Sequence, residues 1–216
     1  MNDNGTDVAK LSTITLGMGC FWSPEALFGS LPGVVRTRVG YAGGTTEHPT
    51  YREMGDHSET VELDFDPEIL SYEALLETFW NHHNPINING YKGRQYQSLL
   101  LFRDRQQEEA FRRAKERMEA EKGRPLETEI VPFRGFTPAE PRHQKYYLKR
   151  YPDAIAKLSE LYSSEEELTN STLAARLNGL AKGFANRERL IGEIGQWPLD
   201  PVARDDLVAL VRRIRW

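Results

Sequence analysis

Apolar and polar positions change period several times along the chain. Thr13-Ile14-Thr15-Leu16 is a short apolar run that predicts a buried strand. In 34–41, Val35, Thr37 and Val39 oppose Arg36 and Arg38, which predicts a strand with one solvated face. Residues 60–66 alternate most cleanly: Val61, Leu63 and Phe65 interleave with Glu62, Asp64 and Asp66, and Asp66-Pro67 closes the run. The continuous apolar run 98–102 predicts a central strand, and 128–132 a further one. Helical spacing appears in 24–30, where Ala26, Leu27 and Phe28 are to be buried. It appears again behind Ser71 (Tyr72, Leu75, Leu76, Phe79) and behind an Asp104/Gln107 capping box (Ala110, Phe111, Ala114, Met118) as far as about Lys122. Residues 42–53 and 86–93 read as loops, and 143–151 as a short helix in a loop-rich closure.

Strands and helices alternate irregularly, and several strands carry a polar face. This predicts an α+β fold: a two-layer domain with a mixed or antiparallel sheet packed by helices. Residues 1–11, rich in Asn, Asp and Gly, read as a disordered lead-in, and 12–162 as the main domain. Ser163-Ser164-Glu165-Glu166-Glu167 marks a boundary. Beyond it, 163–216 reads as a helical extension of two amphipathic helices split by Gln196-Trp197-Pro198. One carries Leu173, Leu177, Leu180 and Phe184; the other Val202, Leu207, Leu210, Val211 and Ile214. These stripes are expected to pack on the domain or on each other, because a membrane-surface helix is usually more basic.

Composition narrows the function. The 216 residues carry a net charge of −4, which asks for neither nucleic acid nor an anionic membrane. The first ten residues are polar, and no apolar stretch reaches the length of a membrane span, so a cytoplasmic protein is expected. The one cysteine excludes an internal disulfide and a site of several thiolates.

That cysteine lies in Gly17-Met18-Gly19-Cys20-Phe21-Trp22-Ser23-Pro24. The glycines permit a tight turn, Ser23 is a good N-cap and Pro24 a good first helical residue. Cys20 is therefore expected on a strand-to-helix turn, where free N–H groups and the helix dipole lower a thiol pKa. The plainer alternative is a small buried hydrophobe. Tyr51, Glu59 and Tyr96 are candidate companions. Glu59 opens a strand that buries its apolar side, so a desolvated carboxyl there would be a proton donor near neutral pH. The tyrosines, protonated at neutral pH, are able to donate hydrogen bonds to a polarised oxygen. Packing tyrosines and a solvated strand-edge charge are the ordinary alternatives.

Gly19-Cys20-Phe21-Trp22 with Glu25 resembles the signature of the peptide methionine-S-sulfoxide reductases of the MsrA type. The similarity continues through Leu31-Pro32-Gly33-Val34, 39–44, Pro49-Thr50-Tyr51, His57-Ser58-Glu59, Phe65-Asp66-Pro67, Phe79-Trp80, Gln95-Tyr96-Gln97-Ser98 and His143-Gln144-Lys145-Tyr146. The resemblance implies that Cys20 attacks a methionine sulfoxide sulfur and that Glu59, Tyr51 and Tyr96 hold and protonate the departing oxygen. It implies that Phe21 and Trp22 enclose the S-methyl group and that a cysteine sulfenic acid remains. It further implies no cofactor, a substrate that is peptide-bound or free, and an external thiol reductant, thioredoxin or glutathione with glutaredoxin. The chain departs from the family pattern at Tyr91, where an acidic residue is usual, and at Ser23, where glycine is usual. The loop between Tyr51 and Glu59 is short, the C-terminal resolving cysteines are absent, and the tail from Ser163 lies outside the common pattern. Two rivals stay open: a single-cysteine thiol peroxidase, against which an enclosing Phe21-Trp22 wall argues, and a non-catalytic module that binds oxidised methionine.

Overall fold

The computed structural model describes residues 3–85 and 93–216. Its frame is one six-stranded mixed sheet. The strands are β1 (Ser12–Met18), β2 (Val34–Ala42), β3 (Ser58–Phe65), β4 (Ser98–Phe102), β5 (Glu129–Pro132) and β6 (Phe136–Pro138), in the spatial order β5-β4-β1-β3-β2-β6. β1 lies antiparallel between β3 (Leu16 opposite Val61) and β4 (Leu16 opposite Leu100), and β2 is antiparallel to β3 and β6. Among the described residues only β4 and β5 run parallel, joined by the crossover helix α3 (Arg105–Lys122). The expected α+β class with a mixed sheet is therefore what forms.

Helices α1 (Trp22–Gly29), α2 (Tyr72–Asn81) and α3 close the main core, where Ile14, Leu16, Leu63, Phe65, Phe79, Trp80 and Phe111 are buried. Ser71 caps α2 by accepting from Ala74 N–H (3.2 Å). Asp104 caps α3 by accepting from Gln107 N–H at 2.7 Å, while the Gln107 side chain takes the Arg103 N–H at 2.8 Å rather than that of the cap itself. Ala110 is only half-buried; Phe111, Ala114 and Met118 carry the apolar face.

Four expectations change. First, β4 is interior but not central; its three leucines are buried because Leu100 faces the main core while Leu99 and Leu101 meet Ala42, Val131, Phe133 and Phe136 on the other side. Second, the polar face of β3 is not wet. Glu62 and Asp64 are buried under arginines: Arg36 to Asp64 at 2.6 Å, Arg38 to Glu62 at 2.7 Å and Arg103 to Glu62 at 2.6 Å. Alternation reports polarity, whereas the arginine stems that cover the face arrive from other segments. Third, 143–151 is not one helix but two 3₁₀ turns, Pro141–His143 and Leu148–Arg150, separated by Lys145 at φ +52°. A helix α4 (Pro152–Leu158) follows, with Pro152 at its first position.

Fourth, the C-terminal region holds four helices, not two, among the described residues: α5 (Glu165–Thr169), α6 (Thr172–Lys182), α7 (Arg187–Ile194) and α8 (Pro201–Arg213). Asn186 starts the missed α7 by accepting from Arg189 N–H (2.9 Å). These helices share a second apolar core with residues from before Ser163. Leu148, Ala154 and Leu158 pack with Leu173, Leu177, Ile194, Leu210 and Val211. The lead-in is tied to the same region: Asp3 accepts from Thr172 N–H (2.7 Å), Leu173 N–H (3.0 Å) and the Tyr162 hydroxyl (2.7 Å). Among the described residues no helix is long and apolar enough to cross a membrane.

Candidate functional site

Antiparallel pairing brings the C-terminal ends of β1 and β2 and the N-terminal ends of β3 and β4 to one end of the sheet. The long loop between β2 and β3 opens at that same end, and residues 93–97 lead into β4 there. This is how Cys20, Glu59, Tyr51 and Tyr96, distant in sequence, converge. Tyr91 lies outside the described residues, as does most of the expected loop 86–93.

The turn after β1 passes through Gly19 at φ +89°, a conformation that a side chain would strain, and leaves Cys20 exposed just ahead of α1. Ser23 does not cap this helix. The N-cap is Phe21, which has no side-chain cap, and α1 starts at Trp22. The missing cap comes from another strand: Glu59 Oε2 accepts the Phe21 N–H at 3.0 Å. A carboxylate supplied from β3 meets the Phe21 N–H, and Ser23, already the second residue of the helix, is past the capping position.

Glu59 is 1 % exposed. Its other oxygen, Oε1, accepts from Gln95 Nε2 at 2.8 Å, and the Cys20 thiol hydrogen-bonds to the same carboxyl group. Burial pushes the Glu59 pKa up, against the lowering effect of Gln95, Phe21 N–H and Cys20. The thiol does not follow the helix-dipole expectation. Burial pushes its pKa up, the Trp22 N–H pulls it down, and the Glu59 carboxylate raises it further; the outcome lies above the ordinary thiol value. The surface of Cys20 is open to solvent, but the protein crowded round the sulfur and the facing carboxylate outweigh one helix N-terminus. Thiol and carboxyl thus titrate as one coupled pair, the thiol facing the carboxylate that can take its proton.

Tyr51 is half-buried, and its hydroxyl hydrogen-bonds with that of Tyr96. Burial, then Glu59, then Cys20 raise its pKa, so it stays a neutral donor. Its backbone N–H donates to Glu140 Oε1 at 3.3 Å, and Glu140 Oε2 accepts the Tyr41 hydroxyl at 2.7 Å. Phe21 is buried, whereas Trp22 is half-buried and stacks flat on Tyr146, with centroids 3.8 Å apart and planes 4° apart. His143 fills the space between: its ring lies 4.7 Å from Tyr51, 5.6 Å from Phe21 and 5.9 Å from Trp22. Burial depresses its pKa, so the wall is uncharged at neutral pH.

The structure brings together all six residues singled out in the sequence: Cys20, Glu59, Tyr51, Tyr96, Phe21 and Trp22. It adds Gln95, Glu140, His143 and Tyr146, to which the sequence reading attached no role. The aromatic density of 143–151 was the available signal; the partners of Glu140 carry none. Among the described residues no group of three or more His, Cys, Asp or Glu side chains is placed to hold a metal ion.

Comparison with known proteins agrees with this geometry. The family described as "Peptide methionine sulfoxide reductase" matches residues 12–175. The chain is 41% identical over 194 residues to a Drosophila melanogaster peptide methionine sulfoxide reductase, covering 89% of this chain and 77% of that one. It is 43% identical over 183 residues to the A5 protein of Oryza sativa subsp. japonica, covering 82% and 71%. The fly match leaves only about a tenth of this chain uncovered, so it runs into the C-terminal helices. Among solved structures, methionine sulfoxide reductase A of Corynebacterium diphtheriae aligns with a TM-score of 0.58 at 34% identity, over 69% of this chain and 80% of that one. Reduced Mxr1 from Saccharomyces cerevisiae aligns with a TM-score of 0.62 at 28% identity, over 68% and 88%. With an exposed cysteine facing a buried carboxyl and an aromatic wall beside them, the chain belongs to the peptide methionine sulfoxide reductase family, of the MsrA type.

Proposed function

We propose that the methionine sulfoxide reduction that belongs to this family is carried in this chain by the Cys20–Glu59 pair, with Tyr51 and Tyr96 on the oxygen and Phe21 and Trp22 on the S-methyl group. One observation supports this above the others: Glu59, buried and raised in pKa, hydrogen-bonds to the only thiol. The reaction needs a negative sulfur and a proton for the leaving oxygen, and one proton passing from thiol to carboxylate creates both. Cys20 Sγ then bonds to the sulfoxide sulfur while Glu59 delivers its proton to the oxygen. Tyr51 and Tyr96 donate hydrogen bonds to that oxygen as charge builds on it. Transfer of the oxygen to Cys20 releases methionine and leaves a sulfenic acid, so that a thiol and a sulfoxide become a sulfenic acid and a thioether. The uncharged wall of Phe21, Trp22, His143 and Tyr146 suits a methyl group better than water.

No second cysteine exists to resolve the sulfenic acid. An external thiol condenses with it, releasing water and forming a mixed disulfide, and a second thiol then frees Cys20. Thioredoxin or glutathione with glutaredoxin would serve as the reductant. The site needs no cofactor for this chemistry. Both peptide-bound and free sulfoxide are accessible to an exposed thiol.

The test is incubation with dithiothreitol and each sulfoxide epimer of a methionine peptide, alongside Cys20→Ser. The expected result is methionine from the S epimer with the native chain alone. Turnover by Cys20→Ser would refute the nucleophile. Rapid consumption of hydrogen peroxide with no methionine formed would favour the peroxidase instead.

A further inference from the structure

Helix α6 lies directly behind the site, and its fit there is tight. A Cβ added at Gly29 of α1 would stand 2.7 Å from the Ala175 carbonyl oxygen, and one at Gly179 would stand 2.6 Å from Ser30 Cβ and 2.8 Å from the Ala26 carbonyl oxygen. Backbone meets backbone at both points, so α6 has no room to slide along α1. Arg176 Nη1 donates to the Gly29 carbonyl at 2.8 Å and ties the C-terminus of α1 to the same helix.

A buried polar cluster continues this contact toward the site. Glu25 and Lys145 are both 0% exposed and pair at 2.8 Å. Lys145 N–H donates to Glu25 Oε2 at 2.9 Å, and Lys145 Nζ donates to the Thr37 carbonyl at 2.7 Å. Asn178 of α6, itself fully buried, accepts the Leu148 N–H at 3.0 Å, and its Nδ2 lies 3.5 Å from Glu25 Oε2. An apolar cluster of this size would avoid the cost of burying charge, but it would not fix direction. Glu25 lies within a turn of Trp22 on α1, and Lys145 immediately precedes Tyr146. The cluster therefore joins the two backbone segments that carry the stacked rings at 3.8 Å.

We propose that Asn178, Glu25 and Lys145 are positioning residues for the Trp22–Tyr146 wall, and that through them the C-terminal helices set how closely the site fits the S-substituent of its sulfoxide. The inference rests on the reading above that this wall takes the methyl group. It explains why α6, outside the site, meets the cysteine helix through glycines and a polar side chain rather than through an ordinary apolar face.

The test uses the full chain with Asn178→Ala, the milder Asn178→Ser and Gly179→Ala, and Gly192→Ala as a control where an added Cβ meets nothing within 4 Å. The chains carry 5-fluorotryptophan, and Trp22→Phe assigns the Trp22 resonance. Two quantities are read: the fluorine shift of Trp22, and kcat and KM for methionine and ethionine sulfoxides of the same peptide. For the three variants, KM for the methionine sulfoxide should rise about three- to tenfold, with kcat within about twofold. The preference for methyl over ethyl should shrink, and the Trp22 resonance should move while the control matches wild type. Folded variants with an unmoved Trp22 resonance and an unchanged methyl-to-ethyl ratio would overturn the proposal, as would loss of cooperative melting in all three, which would make the cluster purely structural. A wild-type chain that reduces no sulfoxide would refute the preceding section; a shifted Trp22 resonance in the variants would then still support the wall's positioning but overturn its role in sulfoxide fit.

Discussion

Glu59→Gln separates the two jobs assigned to one carboxyl. Glu59 is 1 % exposed and accepts from Phe21 N–H at 3.0 Å and Gln95 Nε2 at 2.8 Å. An amide keeps one acceptor oxygen for Phe21, and its NH₂ group finds a partner if Gln95 turns its own oxygen inward. The fold should therefore lose only about 1 kcal/mol. Catalysis should lose far more: a positioned general acid is worth about 10²- to 10⁴-fold, or about 3–5 kcal/mol of barrier. The pH dependence has a defined sign. Burial raises the pKa of Glu59, and burial and Glu59 raise that of Cys20, so the native rate should fall as pH climbs past the point where the pair loses its last proton and none is left for the oxygen. The Gln variant should lack this limb. The thiol should move the opposite way, because the facing carboxylate that helps raise its pKa is gone. Alkylation of Cys20 by iodoacetamide should then begin at lower pH in the variant, even as sulfoxide turnover collapses. Stopped-flow or quenched alkylation across pH 5–10, beside steady-state turnover, reads both. A variant in which alkylation and turnover fall together, or in which the alkylation profile stays put, would refute the coupled-pair account.

Single turnover without reductant should leave Cys20 as a sulfenic acid that dimedone traps and intact-mass spectrometry detects. A native mass after one methionine per protein has formed would refute the scheme, and a disulfide-linked dimer as sole product would move the resolving role to a second copy. Truncation before Ser163 would uncover Leu148, Ala154 and Leu158 and strip Asn178 from Glu25; the shortened chain should melt earlier or aggregate, as light scattering with circular dichroism would report. A stable truncated monomer with native kinetics would contradict this. His83 bonds to the Phe79 carbonyl oxygen and Ser98 Oγ, both at 2.7 Å, and burial lowers its pKa to about 4. The unfolded chain therefore binds the proton first as pH falls below about 6.5, and the native state should lose up to about 3 kcal/mol between there and pH 4. Urea unfolding of native chain and His83→Gln at pH 7.5 and 5 should show the variant less sensitive to this change.

Local pattern was enough for most elements. Ser71 and Asp104 cap the helices they precede, and the period of two in 60–66 and the apolar run 98–102 are strands, because caps and periodicity depend on neighbours within a turn or a pleat. The cysteine's place between a strand and a helix was legible for the same reason. What covers each face was not. Glu62 and Asp64 look solvated in sequence and are buried by arginines from β2 and from the end of β4. Ser23 looks like a cap but lies inside the helix, and the Phe21 N–H at the true start goes to Glu59, 38 positions further along the chain. The thiol, which a helix N-terminus alone would acidify, is set instead by burial and by the carboxyl that antiparallel pairing of β1 and β3 brings beside it. The stripe of Leu173 and Leu177 announced a packed helix. Only the tertiary structure shows that Gly179 and Asn178 on that helix press on the cysteine helix and its buried Glu25. Periodicity is a property of adjacent residues and survives in a single sequence. Burial, pKa and the making of a site depend on which distant segments meet, and chain topology decides that.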